Sequence, residues 1–186
     1  MRAIMLVILV ASLAGCNQYQ LVKQEPIRMS SGMTVASERS WSRLAAGSRE
    51  IWTVDGVLLE SITFFDGVGD GEQLFDGNPE QTFPKFAPRM TASEVQELYT
   101  DSLTILGGSR VEARGLRPYT LGDTDGFRFD LTYINADGLD MRGMVVGAVR
   151  GTELFLIVYS GARSHYFDRY KNDVEQLLRT VNFPTT

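Results

Sequence analysis

The sequence has one cysteine and one histidine in 186 residues. A single cysteine excludes an intramolecular disulfide framework of the kind that stabilises many small secreted domains. Together with the single histidine it also excludes a zinc site built on several Cys or His ligands. The chain must therefore be stabilised by burying its own apolar side chains, and its length and its 44% hydrophobic composition are sufficient for that.

The sequence has no excess of positive charge. It carries 18 Lys+Arg against 23 Asp+Glu, a formal net charge of −5. Such a chain has no surplus of cations to replace the counterions of a phosphate backbone. We therefore expect no nucleic-acid partner.

The N-terminal apolar run is too short to cross a membrane. It covers residues 3–11, follows Arg2 and ends in small residues, whereas a spanning helix needs about 20 apolar residues. A positive residue, a short apolar stretch and small residues at its end are typical of a secretory signal. We predict a signal peptide over residues 1–15.

The end of this segment, Leu13-Ala14-Gly15-Cys16, resembles the lipobox of bacterial lipoproteins. The resemblance implies that the Cys16 thiol receives a diacylglyceryl group and that cleavage falls between Gly15 and Cys16. The freed amine can then be acylated, for example with palmitate. The alternative is a buried cysteine that follows an ordinary signal.

Lipidation at Cys16 would hold the mature protein on a membrane, because two or more acyl chains give stable attachment where one chain is marginal. Asn17 follows the cysteine. By resemblance to lipoproteins of two-membrane bacteria, in which Asp at this position typically marks retention in the inner membrane, Asn17 favours the outer membrane. The expected partners are the membrane itself, through acylated Cys16, and the lipoprotein-processing and sorting machinery.

Beyond the signal, the pattern predicts a tether and one domain. Residues 16–32 contain Gln, Ser and Pro26 without sustained periodicity, which is typical of a flexible linker. Residues 33–186 contain no second linker, so we predict a single globular domain, beginning with short strands at Met33 and Trp41.

The first half of this domain carries two local signals. Asp55-Gly56, between strand-like residues 50–54 and 57–65, predicts a β-hairpin. Thr91-Ala92-Ser93-Glu94 is a capping box that predicts the start of a helix, and Gly107-Gly108 predicts its end.

The second half predicts four strands in a meander and a terminal helix. The strict apolar–polar alternation of residues 127–133 indicates a strand with one buried face, whereas residues 154–159 are apolar on both faces. We expect the latter strand to lie centrally in the sheet. The apolar spacing over residues 164–180 predicts the last helix.

This order of elements predicts an α+β domain, with an antiparallel sheet covered by helices. The hairpin motif at 51–56, the Phe83-Pro84-Lys85-Phe86 segment before a capped helix, and the meander with its terminal helix are similar to the α/β/α sandwich of PsbP proteins, Mog proteins and DcrB-type lipoproteins. The resemblance covers residues 33–183. It implies a non-enzymatic binding or assembly role and supplies no catalytic residues.

Three groups of residues are candidates for chemistry or binding. His165 could be oriented by Asp168, but the sequence contains no Gly-x-Ser-x-Gly nucleophile motif, so we interpret His165 as a solvated first-turn residue.

The four acids Asp66, Asp70, Glu72 and Asp76 form a candidate calcium loop, although Val68 and Gly77 occupy positions where an EF-hand has ligands.

The alternative for that loop is an exposed, turn-rich segment. The third group is Arg110, Arg114 and Arg117, which lie in one predicted strand. They form either a solvated strand edge or a surface for a partner.

The sequence therefore predicts a lipid-anchored envelope lipoprotein whose periplasm-facing domain is a binding or assembly module for an unknown envelope protein or component. We expect no cofactor. The alternative is a small envelope hydrolase that uses carboxylates not identifiable from the sequence, since the acids cannot be paired in space.

Overall fold

The computed structural model describes residues 19–22, 24–47, 49–77 and 80–184. The predicted signal peptide, the lipobox, Cys16 and Asn17 lie outside the described residues.

An eight-stranded antiparallel sheet forms the middle of the domain, with the strand order β1-β4-β5-β6-β10-β9-β8-β7. Its strands are β1 (Gln20–Val22), β4 (Trp41–Ala46), β5 (Arg49–Thr53), β6 (Glu60–Val68), β7 (Ser109–Leu121), β8 (Thr124–Ile134), β9 (Asp140–Arg150) and β10 (Glu153–Ala162). A small second sheet pairs β2 (Ile27–Arg28) with β3 (Thr34–Val35). The helices are α1 (Ala92–Ile105) and α2 (Tyr166–Leu178).

Helix α2 covers one face of the sheet, where it packs on β10, β6 and β9. Its buried side chains are those at the predicted helical spacing: Phe167, Tyr170, Val174, Leu177 and Leu178. They share a core with both tryptophans, which are fully buried. This spacing is what an amphipathic helix needs to bury one side.

Helix α1 covers part of the opposite face, against β7 and β8. It begins at the predicted capping box, since the Thr91 side chain accepts from the Glu94 backbone and the Glu94 side chain accepts from the Thr91 backbone. The loop after β6 completes this layer with four buried side chains: Leu74, Phe75, Phe83 and Phe86.

The two strand patterns are confirmed. In β8 the alternate residues Phe127, Phe129, Leu131 and Tyr133 are buried on the α1 side. Strand β10 is flanked by β6 and β9 and contributes buried side chains to the cores on both faces. A strand that is apolar on both sides must be covered on both sides, and the two layers supply that cover.

The β5–β6 hairpin forms, but not with the predicted two-residue turn at Asp55-Gly56. Strand β5 ends at Thr53 and β6 begins only at Glu60, so residues 57–59 belong to the connection and not to a strand. The reason is Glu60, whose buried carboxylate accepts from the backbone N–H groups of Val54 and Asp55. These bonds hold the chain in a wider, six-residue turn.

The domain also begins earlier than the predicted boundary at residue 33. Within the segment 16–32, predicted to be a tether, β1 pairs with β4 and β2 pairs with β3. Val22 and Met29 are 1% and 5% exposed in the α2-side core. Strands of two and three residues are too short to show a period in the sequence, and their burial against later elements stabilises them.

Within the part of the chain that is described, neither helix combines the length and the apolar character that a membrane crossing requires.

Candidate functional site

The α2-side face of β7 and β8 extends beyond the helix and is polar. The register pairs Glu112 with Thr132, Arg114 with Asp130 and Arg117 with Arg128. Residues directly opposite each other project from the same side of a sheet. Because the buried residues of β8 alternate with Arg128, Asp130 and Thr132, six polar side chains share one face. Arg128 and Thr132 are half-buried there.

A β-bulge brings Arg114 and Arg117 to the same side. Three residues apart in a regular strand, they would project from opposite faces. The register shifts between them, and Gly115 adopts φ +65° there. The extra residue restores Arg117 to the side of Arg114, which is the common effect of a bulge.

This face and α2 together form a groove of about 190 Å³, which we call the polar groove. It is smaller than the 300–1,000 Å³ typical of sites for drug-sized ligands. Its lining combines four basic side chains, two acidic ones and one aromatic ring with small and apolar residues: Glu112, Arg114, Arg128, Asp130, Leu131, Thr132, Arg142, Gly143, Phe167 and Lys171.

Arg128 is the most firmly held of the basic side chains. It donates to both carboxylate oxygens of Glu175 on α2, with the Nη1–Oε2 distance 2.9 Å and the Nη2–Oε1 distance 2.5 Å. This hydrogen-bonded pairing raises the pKa of Arg128 and lowers the pKa of Glu175 below its usual value. The Nε of Arg128 is buried and has no hydrogen-bond partner among the described residues, so it is not open to a group that enters the groove.

Arg142 lines the groove from β9. Its guanidinium lies 4.6 Å from the centre of the Phe167 ring, a cation–π contact. It is also 3.3 Å from Asp168, and both groups are partly exposed. Exposed ion pairs contribute little to stability, so a partner can replace Asp168 at small cost.

The structure separates the three predicted arginines. Arg114 lines the polar groove and is 2.6 Å from Glu112, while Arg117 lies on the same face, 3.2 Å from Asp130. Arg110 is at a second bulge of β7, with φ +51°, and is not part of the groove lining.

The residues of the candidate calcium loop do not converge. Asp66 accepts from the Ser30 hydroxyl and the Ser31 backbone N–H. Glu72 accepts from the Gly69 backbone, and Asp76 lies 3.8 Å from Arg49. Among the residues described, no three His, Cys, Asp or Glu side chains are grouped closely enough to hold a metal ion.

His165 lies at the N-terminus of α2, as predicted, and its side chain makes no capping bond. Asp168 is directed to Arg142, with an Nη1–Oδ1 distance of 3.3 Å. The ring of His165 stands edge-on to Tyr166, with 5.3 Å between the centroids. The pairing of His165 with Asp168 that the sequence allows is therefore not formed.

A wider depression of about 730 Å³ lies between residues 24–38 and the C-terminal end of α2. Glu38 and Arg179 are the charged side chains in its lining. The polar groove is the better candidate because charged groups from β7, β8, β9 and α2 converge there.

Sequence reasoning missed most of the groove, including Arg128, Arg142 and Lys171. These residues come from three elements, and only the sheet order brings them together. A glycine inside a strand is a known sign of a bulge, so Gly115 was the one local signal for the shared face of Arg114 and Arg117.

No protein-family model matches the chain, and no curated protein sequence matches it either. Solved structures that resemble it include one from a cyanobacterium and one from a Bacteroides species. Cyanobacterial PsbP (CyanoP) from Synechocystis superposes with a TM-score of 0.59 at 10% identity, covering 94% of this chain and 99% of that one. A protein from Bacteroides thetaiotaomicron superposes with a TM-score of 0.53 at 9% identity, covering 88% of this chain and 50% of that one.

The chain thus spans about half the length of the Bacteroides protein. At such low identity the likeness concerns the fold alone. The match with CyanoP over nearly the whole of both chains confirms the fold expected from the order of elements: a single domain with an antiparallel sheet and two helices, of the PsbP-like α+β type.

Proposed function

We propose that the protein is a bacterial envelope lipoprotein, anchored through lipid on Cys16 in the outer membrane, and that its periplasm-facing domain is a binding or assembly module. The lipobox-like residues 13–16 support the anchor. The polar groove is the proposed contact surface for an envelope protein. The role is non-enzymatic.

The observation that carries the binding role is the convergence of four basic side chains in an exposed groove, with only two acidic side chains in the same lining. Three of these cations are already paired, Arg114 with Glu112, Arg128 with Glu175 and Arg142 with Asp168. The groove therefore favours a partner segment whose carboxylates or other hydrogen-bond acceptors can take the place of an exposed carboxylate such as Asp168.

The size of the groove supports a protein partner over a small molecule. A groove of about 190 Å³ can hold one or two side chains, but it cannot enclose most of a typical small ligand. A protein partner would use the groove as an anchor point and extend over the surrounding face of β7 and β8.

The test is site-specific photo-crosslinking of the full-length protein in native membranes. A photoreactive residue replaces Thr132 in the groove, and the matched control replaces Glu97, which is exposed on α1 on the opposite face. We expect a defined product from position 132 that position 97 does not give, and Arg114→Glu should weaken it because the groove loses positive charge. Recovery of only the lipoprotein-processing and sorting machinery from both positions would contradict the binding role.

A further inference from the structure

Exposed apolar side chains concentrate at the β1 side of the domain. Six large hydrophobic side chains are exposed among the residues described. The three most exposed are Leu21 at 68%, Leu58 at 59% and Tyr19 at 52%, and Val54 belongs to the same region. The other two, Leu106 and Leu116, lie at the far side, after α1 and on β7.

The register places Leu21 near Val54, at the start of the β5–β6 connection. Leu21 pairs with Ser42, and Ser42 pairs with Thr53. The connection that contains Val54 and Leu58 begins directly after Thr53. Neighbouring strands lie about 4.8 Å apart, so β1 and the start of the β5–β6 turn are separated by about 10 Å.

Tyr19 and Leu21 also point the same way. Successive side chains of a strand alternate between the faces, and Val22, opposite Trp41, belongs to the α2-side core. Leu21 and Tyr19 therefore project from the opposite face of the sheet. Helix α1 packs on β7 and β8, at the far end of the sheet from β1, so it does not cover them.

The distance from Cys16 to this edge is short. Gln20 is already paired with Arg43 of β4. Four residues of fully extended chain span at most about 14 Å. A lipid group on Cys16 would therefore hold the β1 edge within about 14 Å of the anchoring point in the bilayer.

We infer that the β1 edge rests on the bilayer surface, with Tyr19 and Leu21 in the headgroup region and the polar groove on the side away from the membrane. This inference rests on the proposed lipid anchor. Tyrosine suits the interface because its ring is apolar and its hydroxyl is polar. Strand β7 is seven strand spacings from β1, about 34 Å along the sheet.

The charges near this edge indicate that anionic lipid is not required. Arg43 is 2.9 Å from Glu50, and Arg39 is paired with Asp173 on α2. Two cations already paired with carboxylates add little attraction for an anionic surface. The contact should therefore form equally on zwitterionic bilayers, unlike a polybasic attachment.

The test places a nitroxide on the lipidated full-length protein in phosphatidylethanolamine–phosphatidylcholine vesicles. One label is attached through Leu21→Cys, and the matched control through Leu116→Cys, which is also an exposed leucine on a strand. The label at position 21 is expected to be relaxed more by oxygen than by a water-soluble nickel complex, and the label at position 116 more by the nickel complex. Adding anionic lipid should leave both results unchanged.

Equal access of the nickel complex to both positions, on protein that carries lipid and sediments with vesicles, would overturn the inference and leave the lipid anchor intact. Spin–spin broadening at position 21 that depends on protein density would also overturn it, because it would indicate contact with a second copy. Protein that lacks lipid on Cys16 in its native host would overturn both proposals.

Discussion

Glu60 shows how one side chain shapes a turn. It is fully buried, and its Oε1 accepts from the Thr53 hydroxyl at 2.7 Å and from the Asp55 N–H at 3.0 Å. Its Oε2 has no hydrogen-bond partner among the described residues. Burial raises the pKa of the Glu60 carboxyl above its usual value, and the hydrogen bonds that favour the charged form do not offset this.

This raised pKa predicts that Glu60 contributes more to stability as the pH falls. The folded state binds the proton more tightly than the unfolded chain, so the contribution is complete below the unfolded pKa of 4.5 and is lost as the pH rises through the higher folded value. Glu60→Gln has no titrating group at this position, so it lacks this pH-dependent contribution to the free energy of unfolding. Urea unfolding between pH 4 and 8 measures this difference. The free energy of unfolding of the wild type should rise relative to that of Glu60→Gln as the pH falls.

Glu97→Gln, at an exposed position on α1, controls for the general loss of one carboxylate. Parallel stability profiles for the wild type and Glu60→Gln would contradict the account of this turn. The sequence could not predict the role of Glu60, since an acid next to an apolar strand is usually solvated. Only the pairing of β5 with β6 shows that it is enclosed.

At the scale of elements, α1 and the strand β7 were predictable, but the irregular shape of β7 was not. The capping box is a local signal, and the structure confirms it with an Oε2–N distance of 2.6 Å from Glu94 to Thr91. The two bulges of β7 are defined by its pairing with β8, and Gly115 is the one local signal for either of them. The burial of β1 and β2 is likewise decided by elements that follow later in the chain.

Replacing Thr91 with alanine should destabilise the domain by about 1 kcal/mol, because the Glu94 backbone N–H loses its capping acceptor. Thr104→Ala is the matched control. Its hydroxyl bonds to a carbonyl within the helix, and alanine is the better helix former. Urea unfolding measures the stability of both variants. An equal loss of unfolding free energy in Thr91→Ala and Thr104→Ala would show that the capping box makes no specific contribution to stability.

Strand β7 is the outermost strand of the sheet, and its construction disfavours pairing with another chain. It carries two bulges, Pro118 and three arginines, which are common ways to protect a sheet edge from aggregation. Recognition at this side of the molecule would therefore use side chains in the polar groove and not strand addition.

At the scale of the whole molecule, part of the acidity of the sequence is used inside the fold. Residues 50–84 contain eight acids and no Lys or Arg, but the structure uses several of them in turns and ion pairs. Asp55 is 3.1 Å from Arg169, Glu50 pairs with Arg43, Glu60 is buried, and Asp66 binds the turn at Ser30–Ser31. The surface with converging charge is the polar groove, at the other end of the sheet.

The proposed arrangement has one edge of the sheet at the bilayer and the groove at the other. The fold class, most of the strands and both helices could be predicted because their signals are local or periodic. The groove could not, because its residues are assembled by strand order. The proposed orientation of the polar groove, away from the membrane, depends on the short distance from Cys16 to β1.

The most direct test of the account is the chemical state of Cys16. Intact mass spectrometry of the protein from membranes of its native host should show that residues 1–15 are removed and that Cys16 carries a diacylglyceryl group, and Cys16→Ser should leave the membrane fraction. A free thiol at Cys16, or a Cys16→Ser protein that still fractionates with membranes, would contradict the account.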